Sequence, residues 1–313
     1  MKDKISNANF PMDAEGRVYH VGVRSGEVAS RIITVGDPAR LQRFKTFLDA
    51  EPIPFERTSA RGYTVVTGKY KGVEVSLIAI GMGVAMVDFF VREIRAVTSG
   101  PLAIIRFGSC GSLLPSLPVG SIGVPASALQ MSTNYDHWHG SPDAVPYTLS
   151  RRIEADEGLR GALLKSLEEN VASETCQVRD LPLHASADCF YSTQGRIDPN
   201  FGDDNETLIA SLLDKHPDCA SLEMETAHLL HLARIAAPLP SSSSPSQASQ
   251  PSIRAAACHM VFAARRPSAP ALPEATADAP GNVVSDFIDP EVVAELEPRV
   301  GRACLEALRG WAL

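Results

Sequence analysis

The chain has 313 residues and a formal net charge of −8, with 44% hydrophobic and 21% charged residues. That composition suits a globular protein long enough to bury a full core, and the acidic balance disfavours nucleic acid or an anionic membrane as partner. An anionic ligand must then be held by a local cluster of donors. The opening stretch MKDKISNANFPMDAEGRVYHV lacks an apolar signal core, and no run of about 18 apolar residues occurs, so neither secretion nor a membrane span is expected. The six cysteines (110, 176, 189, 219, 258, 304) are scattered without a CxxC pair, which suits reduced thiols in the cytoplasm rather than disulfides or a zinc site.

Residues 1–17 are polar and read as a flexible arm, leaving 18–313 as one domain. Ile32–Val35 is a β-branched run that stops at Gly36-Asp37-Pro38, and a helix is expected from about Arg40 to Leu48. Residues 63–67 and 73–79 flank Lys-Tyr-Lys-Gly and read as a hairpin; the second strand runs into Gly81-Met82-Gly83 and a helix over about 84–98. The continuous apolar run 102–107 suits a buried strand ending at Gly108-Ser109-Cys110-Gly111. Helices are expected at 158–170, 222–236 and 290–311, and strands at 182–187 and 253–263. Strands alternating with helices point to an α/β fold with a central mixed, mostly parallel twisted sheet flanked by helices. The stretch 238–252, PLPSSSSPSQASQPS, reads as a low-complexity surface insert, and 265–285, rich in Pro and Ala, as a mobile loop.

The glycine turns at 36, 81–83 and 108–111 are either plain strand ends or places where backbone N–H groups approach an anion, with Arg40 and Arg106 as fixed cations. Their spacing matches neither GxGxxG nor the Walker pattern. Gln194 and Arg196 would share a face of an extended segment, where an amide and a guanidinium either read a planar heterocycle or are simply solvated. Glu223 and Glu225 at the start of an expected helix either complement its dipole or accept sugar hydroxyls. His20 is a lone histidine in an apolar stretch, and Asp136, His137 and His139 lack a further ligand nearby, so no metal centre is assigned.

Seven segments in order, namely YHVG, ITVGDPARL, RGYT, IGMG, RFGSCG, FYSTQGRID and LEMETAHLL, together resemble the nucleoside phosphorylase/uridine phosphorylase superfamily, and within it the uridine phosphorylases. The resemblance implies phosphorolysis of uridine to uracil and ribose 1-phosphate, with phosphate as co-substrate and no cofactor. It implies that Gly36, Arg40, Arg106 and Ser109 bind phosphate, joined by Arg61 from a neighbouring subunit. Met224 and Glu225 would hold the ribose 2′ and 3′ hydroxyls, with the neighbour's His20 at the 5′ hydroxyl. Phe190 would pack on the base while Gln194 and Arg196 read its edge, and Arg196, Arg106 and Glu225 would carry the catalysis. A homo-oligomer, at least a dimer with shared sites, follows.

The sequence departs from the uridine-specific pattern in places. Bacterial uridine phosphorylases usually carry Thr-Thr where Ser109-Cys110 stands, which brings the chain closer to the purine enzymes. The Asp by which bacterial purine enzymes protonate the base is replaced by Ala264. Gly62 and Met86 stand where a Glu and a Ser help bind an interface cation, with Asp88 as another candidate ligand. A purine phosphorylase, a nucleosidase using water and a catalytically silent nucleoside-binding homologue are the alternatives.

Overall fold

The apolar runs around 32–35 and 102–107 are the centre of the sheet, and their alternation explains its two covered faces. The computed structural model describes residues 6–140, 144–239, 252–265 and 287–313. In chain order its elements are β1 (Arg31–Val35), α1 (Pro38–Lys45), β2 (Phe55–Thr58), β3 (Thr64–Tyr70), β4 (Val73–Ala79), α2 (Val84–Val97) and β5 (Leu102–Ser112). There follow β6 (Ile122–Pro125), β7 (Ser127–Thr133), β8 (Tyr147–Leu149), β9 (Ile153–Glu154), α3 (Glu157–Asn170), β10 (Val178–Leu181) and β11 (Leu183–Ala187). The chain closes with α4 (Leu208–Lys215), β12 (Cys219–Glu223), α5 (Thr226–Ile235), β13 (Ile253–Ala264) and α6 (Pro290–Gly310).

The main path through the sheet is β2-β3-β4-β1-β5-β12-β11-β7-β8, with β13 between β5 and β6. Parallel pairs β1·β4, β1·β5, β13·β5, β11·β12 and β11·β7 occupy the middle, while β3·β4 and β12·β5 are antiparallel, so the sheet is mixed as expected. Along β5, Leu102 and Ile104 face one core with Phe90 and Ile94 of α2 and Leu229 of α5. Ala103, Ile105 and Phe107 face the other, with Leu41 and Phe44 of α1, Leu163 of α3 and Val300 of α6. Successive strand side chains point to opposite faces, and each large apolar group buried this way contributes about 1.5–3 kcal/mol.

Three local expectations are corrected. β5 does not end at Gly108 but runs to Ser112, because β13 continues to pair with it as far as Ala264 opposite Ser112. The helix expected from Leu222 begins at Thr226, since Leu222 and Glu223 belong to β12, paired with β5 and β11. Residues 192–194 form a single helical turn closed by Gly195 at φ +62°, where an extended segment was expected. Residues 6–17 carry bridges from Ser6 to Met12 and from Met12 to Val18, with Phe10 and Met12 packed on the α2/α5 core. The low-complexity stretch and the 265–285 loop lie almost wholly outside the described residues. Among the described residues no helix is long and apolar enough to cross a membrane.

Candidate active site

Beyond the carboxyl ends of β1, β4, β5 and β12 the structure opens a cavity of about 470 Å³, where ligands of open α/β sheets bind. Gly36, Arg40, Arg106, Ser109, Phe190, Gln194, Arg196, Met224 and Glu225 all line it. Segments far apart in sequence therefore converge on one chamber. Gly36 N–H and C=O belong to a turn touching the second glycine turn: Gly81 N–H donates to Gly36 O at 3.1 Å, and a Cβ on Gly36 would stand 3.2 Å from Gly81 O.

Arg40 and Arg106 form the cationic end. Arg40 is buried, its Nη2 donating to Ser109 Oγ at 3.0 Å and its Nε to Glu297 Oε1 at 2.8 Å. Its guanidinium also lies over the Phe107 ring, 4.5 Å from the centroid. Arg106 donates from Nε to Glu223 Oε2 at 3.2 Å and from Nη2 to Glu225. Its buried Nη1 has no hydrogen-bond partner among the described residues and belongs to a side chain that lines the cavity. An unpaired buried donor of this kind is costly unless a ligand answers it.

Glu223 is the keystone of the network. Its carboxylate accepts from Ser186 Oγ at 2.6 Å and from the N–H groups of Glu225 and Thr226 at 2.9 and 3.0 Å. Burial opposes its charge, but His184 and the Arg106 guanidinium outweigh that and hold the carboxyl well below its ordinary range. Glu225 goes the other way. Burial, reinforced by the charge on Glu223, outweighs the pull of Arg106 and raises it to about 7. Two carboxyls two residues apart are thus shifted in opposite directions from their ordinary value, a pattern typical of working sites.

Behind them, His184 and His259 stack with ring centroids 4.6 Å apart and planes 3° from parallel. Together with Glu223 they bring three possible metal ligands within 4.8 Å of one another. Imidazole binds an ion in its ring plane, and two stacked parallel planes share no such point, so the trio is built as a buttress rather than an ion cage. His259 Nε2 sits 3.0 Å from Thr226 Oγ1, and burial holds this imidazole well below its usual range, hence neutral. The ring occupies the space beside Gly108, where a Cβ would come within 2.6 Å of His259 Nδ1. That contact is a physical reason for glycine in the middle of β5.

At the other end Arg196 folds onto its neighbours. Its Nη1 donates to Gln194 Oε1 at 2.7 Å and its guanidinium lies 3.6 Å from the Phe190 ring centroid. The helical turn does what an extended segment was expected to do, because Gly195 reverses the backbone and Asn205 Nδ2 donates to both Ser192 O and Arg196 O at 2.9 Å. Burial, with the charge of Arg265, lowers the Arg196 guanidinium to about 10. Arg265 itself donates to Gln194 O at 2.8 Å. β13 bulges between Val261 and Ala263, turning Phe262 into the cavity wall.

His20 and Arg61 do not line this chamber. They sit together elsewhere on the surface: Arg61 Nη2 donates to Tyr19 Oη at 2.7 Å, while His20 Nδ1 lies 2.6 Å from Glu93 Oε1 and its ring stacks on Phe89. Glu93 also accepts from the His20 and Val21 N–H groups, so the orientation of His20 is set by a buried carboxylate. Asp88 accepts from Arg92 Nε at 2.9 Å and stands 3.2 Å from His228 Nε2. His137 is paired with Asp204 on the surface at 2.7 Å.

Sequence reading missed three participants. Glu223 was visible beside Glu225, but only Glu225 was given a role, and the contacts that tie Glu223 to Arg106 and Ser186 come from the strand register. Arg265 carried no signal beyond its place at the end of a strand. Glu297 did carry one: a carboxylate on the apolar stripe formed by Leu296, Val300 and Cys304 requires a buried cation.

Comparison with known proteins identifies the family of the chain. Residues 30–240 match the family described as the Phosphorylase superfamily. A uridine phosphorylase of Thermococcus kodakarensis is 30% identical over 240 residues, covering 75% of this chain and 78% of the relative. A solved uridine phosphorylase structure from the oomycete Phytophthora capsici is 35% identical, covers 99% of this chain and all of its own, and superposes with a TM-score of 0.85. A DeoD-type purine nucleoside phosphorylase of Geobacillus kaustophilus is 36% identical, but over 110 residues covering 35% of this chain and 45% of the relative. The fold, the convergent cavity and these matches together make this chain a member of the phosphorylase superfamily.

Proposed function

We propose that this enzyme cleaves uridine with inorganic phosphate, giving uracil and ribose 1-phosphate. The observation that carries the reading is that three groups line one cavity: Arg106, whose Nη1 has no partner among the described residues, with Arg40 and Ser109; Met224 and Glu225; and Gln194 and Arg196 with Phe190. Phosphate at the first group, ribose at the second and base at the third would put the phosphate on the sugar face opposite the base. Attack at C1′ then proceeds through oxocarbenium character and inverts the centre to the α-phosphate. Positioning and fixed charge supply the rate, with no covalent enzyme nucleophile. Arg196 donates toward O4 as uracil leaves as an anion, while the Gln194 amide offers both a donor and an acceptor to O2 and N3.

The cation balance favours a shared site. Within one chain, Arg40 and Arg106 face Glu297, Glu223 and Glu225, a poor setting for a phosphate dianion. Arg61 from a second subunit would supply the missing charge, and His20, held by Glu93, would reach the ribose 5′ hydroxyl from the same side. The working unit is then a homodimer or a larger assembly. Phosphate is the co-substrate and no other cofactor is required by this chemistry. Six cysteines without a disulfide among the described residues favour the cytoplasm.

A purine base is the second reading, carried by the Gly108-Ser109-Cys110-Gly111 run and the purine relatives. Against it, β13 ends in Ala263-Ala264, of which Ala263 lines the cavity, and the strand carries no acid to protonate a purine. The test is kcat/KM for uridine and for inosine at saturating phosphate, in the wild type and in Arg196→Ala. Uridine should be preferred, and the substitution should cut its kcat/KM by about a hundredfold. Preference for inosine, or undiminished uridine turnover by the variant, would overturn the base assignment.

A further inference from the structure

Glu297 lies on α6, outside every segment that carries the family resemblance, yet both its oxygens are committed to α1. Oε1 accepts from Arg40 Nε at 2.8 Å and stands 2.7 Å from Arg40 Nη2, while Oε2 accepts from Arg43 Nε at 2.9 Å. Glu297 and Arg40 are buried, their side chains 2% and 6% exposed, whereas Arg43 is half-exposed. The helices meet closely enough to set this geometry, since a Cβ on Gly301 would fall 2.3 Å from Phe44 Cε1.

A buried ion pair loses solvation that its own attraction does not reliably return, so packing alone would be served as well by an apolar residue. What the carboxylate adds is direction. It takes one edge of a planar guanidinium whose Nη2 also reaches Ser109 Oγ, whose Nη1 donates to Phe107 O at 3.4 Å, and which belongs to a side chain lining the cavity. We infer that Glu297 is a positioning residue for phosphate, aiming Arg40 and, through it, the Ser109 hydroxyl. This rests on the phosphorolysis reading above. It also makes the C-terminal helix part of the phosphate site.

The test uses Glu297→Gln and Glu297→Leu in the full-length protein, with Arg43→Ala as control. Both Glu297 variants should raise KM for phosphate about tenfold while KM for uridine stays within about twofold. Arg43→Ala, which removes only the Oε2 partner, should change neither. In an Arg40→Lys background Glu297→Gln should add nothing, because the edge it holds is gone. Phosphate binding is read independently by the rise in Tm on adding inorganic phosphate, whose half-maximal concentration should move by the same factor in Glu297→Gln. If the wild type failed to cleave uridine, the functional reading would fall while the Tm titration still judged Glu297. Unchanged or tighter phosphate binding, or an equal loss for both substrates, would overturn the inference.

Discussion

Glu223 and Glu225 show how far the environment separates identical side chains. The first is tied to Arg106, Ser186 and two N–H groups and stays charged; the second is raised to about 7 by burial next to that charge. A raised carboxyl is protonated below its pKa and ionised above it, and only the ionised form would accept from both hydroxyls of the proposed ribose without competing as a donor. The sign follows directly: kcat/KM for uridine should fall as pH drops through about 7 and level off above it. Glu225→Gln should remove that inflection along with most of the activity. A flat wild-type profile between pH 6 and 8, scanned with about half-unit steps, would contradict the role given to Glu225.

At the scale of elements, glycines decide where strands and helices touch. Gly301 lets α6 lie against Phe44, whose ring also stacks on Phe107 with centroids 5.9 Å apart. Gly301→Ala gains about 1 kcal/mol of helix propensity, but overpacking against a buried ring costs about 1–3 kcal/mol and tilts Glu297 away from Arg40. The variant should unfold at lower denaturant than the wild type and bind phosphate more weakly; a gain in stability would show that the helices have room to spare. The same elements show what was legible beforehand. Apolar runs such as 32–35, 102–107 and 253–263 and the capped helices declared themselves through periodicity, because buried strands and amphipathic helices must look that way. The end of β5 did not, since Gly108 and Gly111 read as a turn until β13 is known to pair beside them. Gln194 and Arg196 were recognisable as a pair, though the left-handed Gly195 that brings them together was not. Long-range pairing decides such points, and a single sequence does not display it.

For the whole molecule the central feature is a cavity whose cations Arg40 and Arg106 are each paired with carboxylates of the same chain. His20 and Arg61 lie apart from it in the same chain, on a surface where Tyr19 and Glu93 fix them. If each site borrows Arg61 from its neighbour, co-refolded Arg61→Ala and Arg196→Ala chains would form mixed dimers with one intact site. Random pairing should then restore about a quarter of wild-type activity, although each variant alone is impaired. No recovery would mean that each chain works with its own residues. The reaction itself is most directly tested by incubating uridine with the purified enzyme, with and without phosphate, and following the sugar product by phosphorus NMR. Uridine should be consumed only with phosphate, with α-ribose 1-phosphate formed in equal amount to uracil. Free ribose, or uridine loss without phosphate, would contradict it.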